Sequence, residues 1–114
     1  FSGVGQPVLV PGDMGTASWV LAGPKSGGND AFSSSCHGAG RRLSRTAARK
    51  SVDSGALVEA LESRGIHVRA KTPNVLSEEA PEAYKDVDEV IRLTGDAGLA
   101  RPVARLRPIA VIKG

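Results

Sequence analysis

Pro7-Val8-Leu9-Val10-Pro11-Gly12 and, a few residues on, Ala17-Ser18-Trp19-Val20-Leu21-Ala22-Gly23-Pro24 are two short apolar runs, each closed by a proline and a glycine. Runs of this length, rich in Val and Leu and bounded by chain breakers, predict two β-strands joined by a tight loop. Gly23 to Asn29 then has the Gly, Ser, Pro, Lys and Asn content of a surface loop.

Further along, the period changes from two to between three and four. Arg42 to Lys50 predicts a helix. A second helix starts with Asp53 or Ser54 as N-cap, carries Leu57, Val58 and Leu61 as its apolar stripe and stops at Gly65. Ile66-His67-Val68-Arg69-Ala70 alternates as a strand does. Glu82 to Thr94 places Val87, Val90, Ile91 and Thr94 at helical spacing, with acids crowded at its start, where the helix dipole favours them. Val103 to Lys113, with Leu106, Ala110 and Ile112 on one side and Pro108 as a breaker, predicts strand, kink, strand. No internal repeat is apparent. The expected class is α+β, with mixed strands and about three helices.

At 114 residues and 40% hydrophobic content, residues 1–114 suit one small domain with a modest core. Aromatics are only 4%, so that core must be filled by Val, Leu, Ile and Ala. The single cysteine, Cys36, excludes an internal disulfide framework and points to a reducing, cytoplasmic setting. No run approaches the about 18 apolar residues of a membrane span. No signal-peptide pattern is read at the N-terminus, and Phe1 in place of an initiator Met implies processing or truncation.

Charge is concentrated in one place. The net charge is +3, yet Arg41, Arg42, Arg45, Arg49 and Lys50 hold five of the fifteen basic residues in a stretch without an acid. The rest of the chain has fewer bases than acids, so the basicity is local and suits a polyanion bound at one place. A solvated patch is the plain alternative. Directly before this run stands Ser34-Ser35-Cys36-His37-Gly38-Ala39-Gly40. Gly38 and Gly40 can take positive φ and turn backbone N–H groups toward an anion. His37 offers a neutral imidazole nitrogen, a competent nucleophile toward phosphorus. Arg41, Arg45 and Arg49, spaced by four, would line one helix face, and guanidinium grips phosphate oxygens as a fork. A lone histidine and a basic helix face are each more often structural, so adjacency is what raises the phosphate reading.

Four blocks taken together, Pro7 to Ser18, Cys36 to Arg41, Glu79-Ala80-Pro81-Glu82-Ala83-Tyr84-Lys85 and Leu106 to Gly114, resemble in order the C-terminal part of the RtcB RNA ligases. The resemblance runs from end to end of the chain, which would then be the nucleophile-bearing, guanylate-binding segment of a larger RtcB-type fold. It implies GTP- and Mn2+-dependent joining of an RNA 3′-phosphate or 2′,3′-cyclic phosphate to a 5′-hydroxyl, as in tRNA splicing and RNA repair. On that resemblance His37 attacks the α-phosphorus of GTP to form a guanylyl-histidine. Pro11, Gly12, Asp13 and Met14 form a nucleotide-contacting loop, Ser18 supplies a hydroxyl, and Gly38, Ala39 and Gly40 contribute backbone. Tyr84 packs near the guanine base and Lys113 reaches the nucleotide, while Arg41, Arg42, Arg45 and Arg49 are candidates for RNA or phosphate.

Asp13 stands where some members of that family carry Ser. The family's manganese ligands, a cysteine and several histidines, lie upstream of the matching region, and Cys36, His37 and His67 do not offer three convergent ligands. No metal site is therefore expected in this chain, nor ligation by it alone. The expected partners are RNA ends such as tRNA halves and an accessory activator, with no membrane. The competing reading is a non-catalytic guanine-nucleotide or RNA-binding module derived from that fold. An α/β-hydrolase loop is excluded because no Gly-x-Ser-x-Gly occurs.

Overall fold

A computed structural model describes residues 3–24 and 37–114. The elements in chain order are β1 (Pro7–Val10), β2 (Ser18–Ala22), α1 (Arg45–Ser51), α2 (Ser54–Ser63), β3 (His67–Ala70), α3 (Pro73–Glu78), a 3-10 turn (Pro81–Ala83), α4 (Val87–Asp96), β4 (Arg101–Leu106) and β5 (Ala110–Lys113). The class is α+β, as expected. The described residues fall into two compact units, one drawn from Phe1–Gly12, Ala17–Ala39 and Asp86–Leu106, the other from Asp13–Thr16, Gly40–Lys85 and Arg107–Gly114.

The first unit is a three-stranded antiparallel sheet in the order β1-β2-β4. Pro7 lies opposite Ala22 and Val10 opposite Trp19, so the two opening apolar runs pair as anticipated. Their connection, Pro11 to Ala17, is longer than a tight hairpin turn. Val10 and Leu21 are fully buried with Val87, Ile91 and Ala100, and Val8, Trp19 and Ala39 pack against them. Burying each such side chain contributes roughly 1.5–3 kcal/mol. Helix α4 supplies Val87, Ile91 and Thr94 as its buried stripe, but it starts at Val87 rather than at Glu82. Its cap is the reason: the Asp86 side chain accepts from the Asp88 N–H, and Asp88 and Glu89 then fill the first turn.

In the second unit β3 and β5 pair in parallel, His67 opposite Ala110 and Ala70 opposite Lys113. Met14, Leu57, Leu61, Ile66, Val68, Leu76 and Ala80 form its core. Asp53 caps α2 through the Ala56 N–H, and Leu57, Val58 and Leu61 face or flank the core, as expected. Helix α1 begins at Arg45, three residues later than the spacing suggests. Ser44 is extended and its hydroxyl accepts from Ala47, while the Arg42 and Leu43 amides both donate to the Ala83 carbonyl. Helix α3 was not anticipated from periodicity; it is announced instead by Thr72, whose hydroxyl accepts from Val75, and by Pro73 at the first helical position.

Pro108 separates two strands, but they enter different sheets and do not share an apolar face. Val111 is the β5 residue that packs on the core, whereas Leu106 and Ile112 are exposed, Ile112 by 84%. Among the described residues no helix is long and apolar enough to cross a membrane.

Candidate functional site

The β1–β2 connection is held by local hydrogen bonds that its own residues supply. In the first unit the Gly12 N–H donates to Ser18 Oγ at 3.2 Å. Gly38 lies against the same loop, close enough that a Cβ there would stand 3.6 Å from the Pro11 carbonyl oxygen. Pro11, Gly12, Ser18 and Gly38 are thus gathered around one backbone turn. Ala39 packs on the apolar cluster beneath, while His37 is exposed. Gly38 and Gly40 both have positive φ, 156° and 78°. At Gly40 this is the left-handed conformation that other residues rarely adopt.

Asp13 to Thr16 belong to the second unit. The Asp13 N–H donates to Thr16 Oγ1 at 3.2 Å, and Asp13 Oδ1 accepts from the Gly15 N–H at 2.8 Å. That Asx turn gives the Asp13 carboxylate a local role. Met14 is a core side chain, 2% exposed. Gly15 is required by close approach: a Cβ would lie 2.9 Å from Pro81 Cγ and 3.3 Å from Leu61 Cδ2. Arg64 completes the clamp, its Nη2 donating to the Gly15 carbonyl at 2.7 Å.

The remaining candidates in this unit converge on two acids at the end of α3. Arg41 forms a β-bridge with Tyr84 ahead of α1 instead of sitting on the helix. Even so, Arg41, Arg45 and Arg49 meet: Arg41 Nη1 is 3.2 Å from Glu79 Oε1, Arg45 Nε is 3.7 Å from Glu79 Oε1, and Arg49 Nε is 3.4 Å from Glu78 Oε1. Lys113, the last residue of β5, places Nζ 4.0 Å from Glu79 Oε2. The Tyr84 hydroxyl donates to that same oxygen and accepts from Arg41 Nη1 at 3.0 Å. The Arg41 guanidinium also lies over the Tyr84 ring, 4.9 Å from its centroid, a cation–π distance. Arg42 stands apart, exposed, with Nε donating to the Glu82 carbonyl at 3.0 Å.

Burial by itself raises the Glu79 carboxyl, but the Tyr84 hydrogen bond and the charges of Lys113, Arg41 and Arg45 outweigh it and hold it below its ordinary value. Tyr84 shifts upward, through burial and then through the Glu79 hydrogen bond and charge, against the opposing pull of Arg41. Four cations around two carboxylates leave positive charge in excess at this place. Glu79, Arg64 and Gly15 hold these arrangements together, and residue spacing alone does not single them out. For Glu79 a signal existed, an acid pair two residues before Pro81 and five before Tyr84.

Among the described residues no group of three or more His, Cys, Asp or Glu is placed to hold a metal ion. His67 is exposed on β3, and Cys36 lies outside the described residues. The donors in view therefore do not fit a manganese centre. An open cavity of about 610 Å³ in the first unit is lined by Ala22, Ile91, Gly95, Ala100 and Pro102 among others, and by none of the candidate site residues.

The profile of one protein family, described as tRNA-splicing ligase RtcB, matches residues 1–114, the whole chain. The chain belongs to the RtcB family. It is 54% identical over 111 residues to a tRNA-splicing ligase RtcB of Pyrococcus abyssi, covering 97% of this chain and 12% of that protein. The RtcB ligase of Methanopyrus kandleri is 51% identical over 114 residues, 100% of this chain and 12% of its own length. That of Thermococcus kodakarensis is 55% identical over 111 residues, 97% of this chain and 23% of its own. The chain thus spans less than a quarter of the length of these RtcB relatives.

Proposed function

We propose that this chain is the nucleophile-bearing, nucleotide-recognising part of an RNA ligase that joins an RNA 3′-phosphate or 2′,3′-cyclic phosphate to a 5′-hydroxyl, acting on tRNA halves and broken RNA. The observation that carries the reading is the RtcB match over the entire chain, which includes the His37-Gly38-Ala39-Gly40 block. An exposed imidazole beside a glycine packed on Pro11 is sterically open to a phosphate.

The chemistry asked of the chain is group transfer. A neutral His37 nitrogen attacks the α-phosphorus of the substrate GTP. The N–P bond forms, the bond from the α-phosphorus to its bridging oxygen breaks, and pyrophosphate leaves. The guanylyl group then passes to the RNA 3′-phosphate, freeing the imidazole, and the 5′-hydroxyl displaces GMP to close the phosphodiester. A cyclic phosphate end is first opened by water. A phosphoramidate suits this role because it splits one difficult displacement into two easier ones. In the first unit the Gly38 backbone N–H and the Ser18 hydroxyl are the donors offered to phosphate oxygens, and Pro11, Gly12 and Ala39 shape that loop; Asp13, Met14 and Gly40 are nucleotide contacts that the second unit contributes. Tyr84 and Lys113 recognise the guanine nucleotide. Arg42 and the cationic excess of Arg41, Arg45 and Arg49 attract RNA phosphates. Mn2+, when bound, would supply charge neutralisation at phosphate, and its ligands come from other polypeptide. An accessory activator belongs to the same reading.

The test is incubation of the chain with α-labelled GTP and Mn2+, with and without the polypeptide that supplies the metal ligands. A label stable to alkali and lost in acid is expected when both are present, and none in His37→Ala. A label that persists in His37→Ala overturns the assignment. Guanine-nucleotide binding with no label under any condition would instead mark a non-catalytic module.

A further inference from the structure

Glu79 has no part in the transfer chemistry, yet Tyr84 and Lys113 meet on one of its oxygens. Oε2 accepts from the Tyr84 hydroxyl and faces Lys113 Nζ at 4.0 Å. Oε1 is gripped by Arg41 at 3.2 Å. Arg41 is itself fixed by backbone, since Nε donates to the Leu43 carbonyl at 3.1 Å and Nη2 to the Glu78 carbonyl. The carboxylate is therefore held by Arg41 through Oε1, and Oε2 is presented to Tyr84 and Lys113.

We propose that Glu79 is a positioning residue for guanine-nucleotide recognition, holding the Tyr84 ring and the Lys113 ammonium in the arrangement that receives the base. The proposal rests on the reading of Tyr84 and Lys113 as nucleotide contacts. Three features argue for positioning over a plain structural ion pair. The two side chains come from separate segments, one following the 3-10 turn and one ending β5, and both meet Glu79 Oε2. The separation of Lys113 from Glu79 is that of a charge pair more than a hydrogen bond, so the ammonium protons stay available for a carbonyl acceptor such as the purine oxygen. The Tyr84 hydroxyl is engaged as a donor and Arg41 lies over one ring face, so the ring is held at both its polar end and one face, and a stacking base would use the opposite face. Fixing both groups before the ligand arrives removes ordering cost from binding.

Tyr84 is the only tyrosine in the chain, so the phenolate absorbance of the 114-residue protein reports it alone. In the native protein it is expected to titrate above 10, and in Glu79→Gln to fall back toward 10. In the chain supplied with the polypeptide of the labelling experiment, Glu79→Gln is expected to weaken GTP binding by about tenfold, the scale of losing a support behind a ligand group. Glu79→Asp should recover part of that affinity. Tyr84→Phe keeps the ring and the carboxylate while cutting the link between them; it too should weaken GTP binding, and it serves should Glu79→Gln fail to fold. Identical tyrosine titration in native and Glu79→Gln protein overturns the proposal. So does unchanged GTP affinity in Glu79→Gln when Lys113→Ala loses affinity, a result that leaves the nucleotide reading standing. GTP binding untouched by Lys113→Ala overturns both.

Discussion

Two carboxylates, Asp88 in the first unit and Glu79 in the second, show how differently the two halves of the described chain handle charge. Asp88 sits in water with its side chain 45% exposed, accepting from Arg105 Nη2 at 2.9 Å and from Trp19 Nε1 at 2.7 Å. Glu79 is 19% exposed and gathers Arg41, Arg45, Lys113 and Tyr84. At Asp88 the Arg105 and Trp19 hydrogen bonds set the downward shift, with little burial to oppose them. At Glu79 burial opposes and several partners must combine to overcome it. The first unit therefore presents backbone amides, a hydroxyl and an exposed imidazole. The second presents a charge cluster whose members hold one another in place. On the proposed function, the mobile chemistry of transfer goes with the first arrangement and recognition with the second.

The sharpest way to break that division is His37→Ala. Loss of all covalent guanylyl label, with chemical stability within about 0.5 kcal/mol of the native chain because the side chain is exposed, would confirm a residue with a chemical and not a structural task. Destabilisation on the core scale would contradict it. Next in size are the cores themselves. Leu21→Ala in the first unit and Leu61→Ala in the second each remove a side chain at most 2% exposed and should cost about 2–5 kcal/mol in urea unfolding. A cost under about 1 kcal/mol at either site would mean that its cluster is not a packed core. Gly15→Ala comes third. Its new methyl meets Pro81 and Leu61, so about 1–3 kcal/mol of overpacking is expected, together with displacement of the Asp13 turn. Unchanged stability there would show that the turn gives way freely.

Much of this was legible beforehand, for identifiable reasons. β1, β2 and α2 carry strong local signals, paired breakers in the first case and an Asp53 cap with a Leu stripe in the second, and they form where the residues indicate. α1 and α4 start later than their periodicity because it continues through residues whose amides are needed elsewhere: Arg42 and Leu43 donate to Ala83, Tyr84 to Pro81 and Lys85 to Gly40. β5 faces the opposite way to its expected stripe because a strand's inward side is set by its partner β3, and sequence alternation cannot name the partner. At the site, the arginine run was readable as a group, but its convergence on Glu78 and Glu79 depends on tertiary contact between α1 and α3. Met14 shows the converse: a residue placed at the ligand by motif has its side chain in the core.

The smallest expected effect isolates the solvent-exposed member of the pair of carboxylates. Trp19 is the only tryptophan, and its indole N–H donates to Asp88, so its fluorescence reports the ionisation of that one carboxyl. Because the native value of Asp88 is depressed, the ionised form is favoured by folding; its contribution is present above 3.8, the ordinary value, and is lost as pH falls through the native value beneath it. Acid titration of the native chain should therefore move the Trp19 signal with a midpoint below 3.8, and Asp88→Asn should abolish that step. Arg105→Gln should raise the midpoint toward 3.8, since Arg105 is the largest cause of the shift. A native midpoint at or above 3.8 would mean that solvent screens these hydrogen bonds, and that among the two clusters only the half-buried one holds its charge by design of the fold.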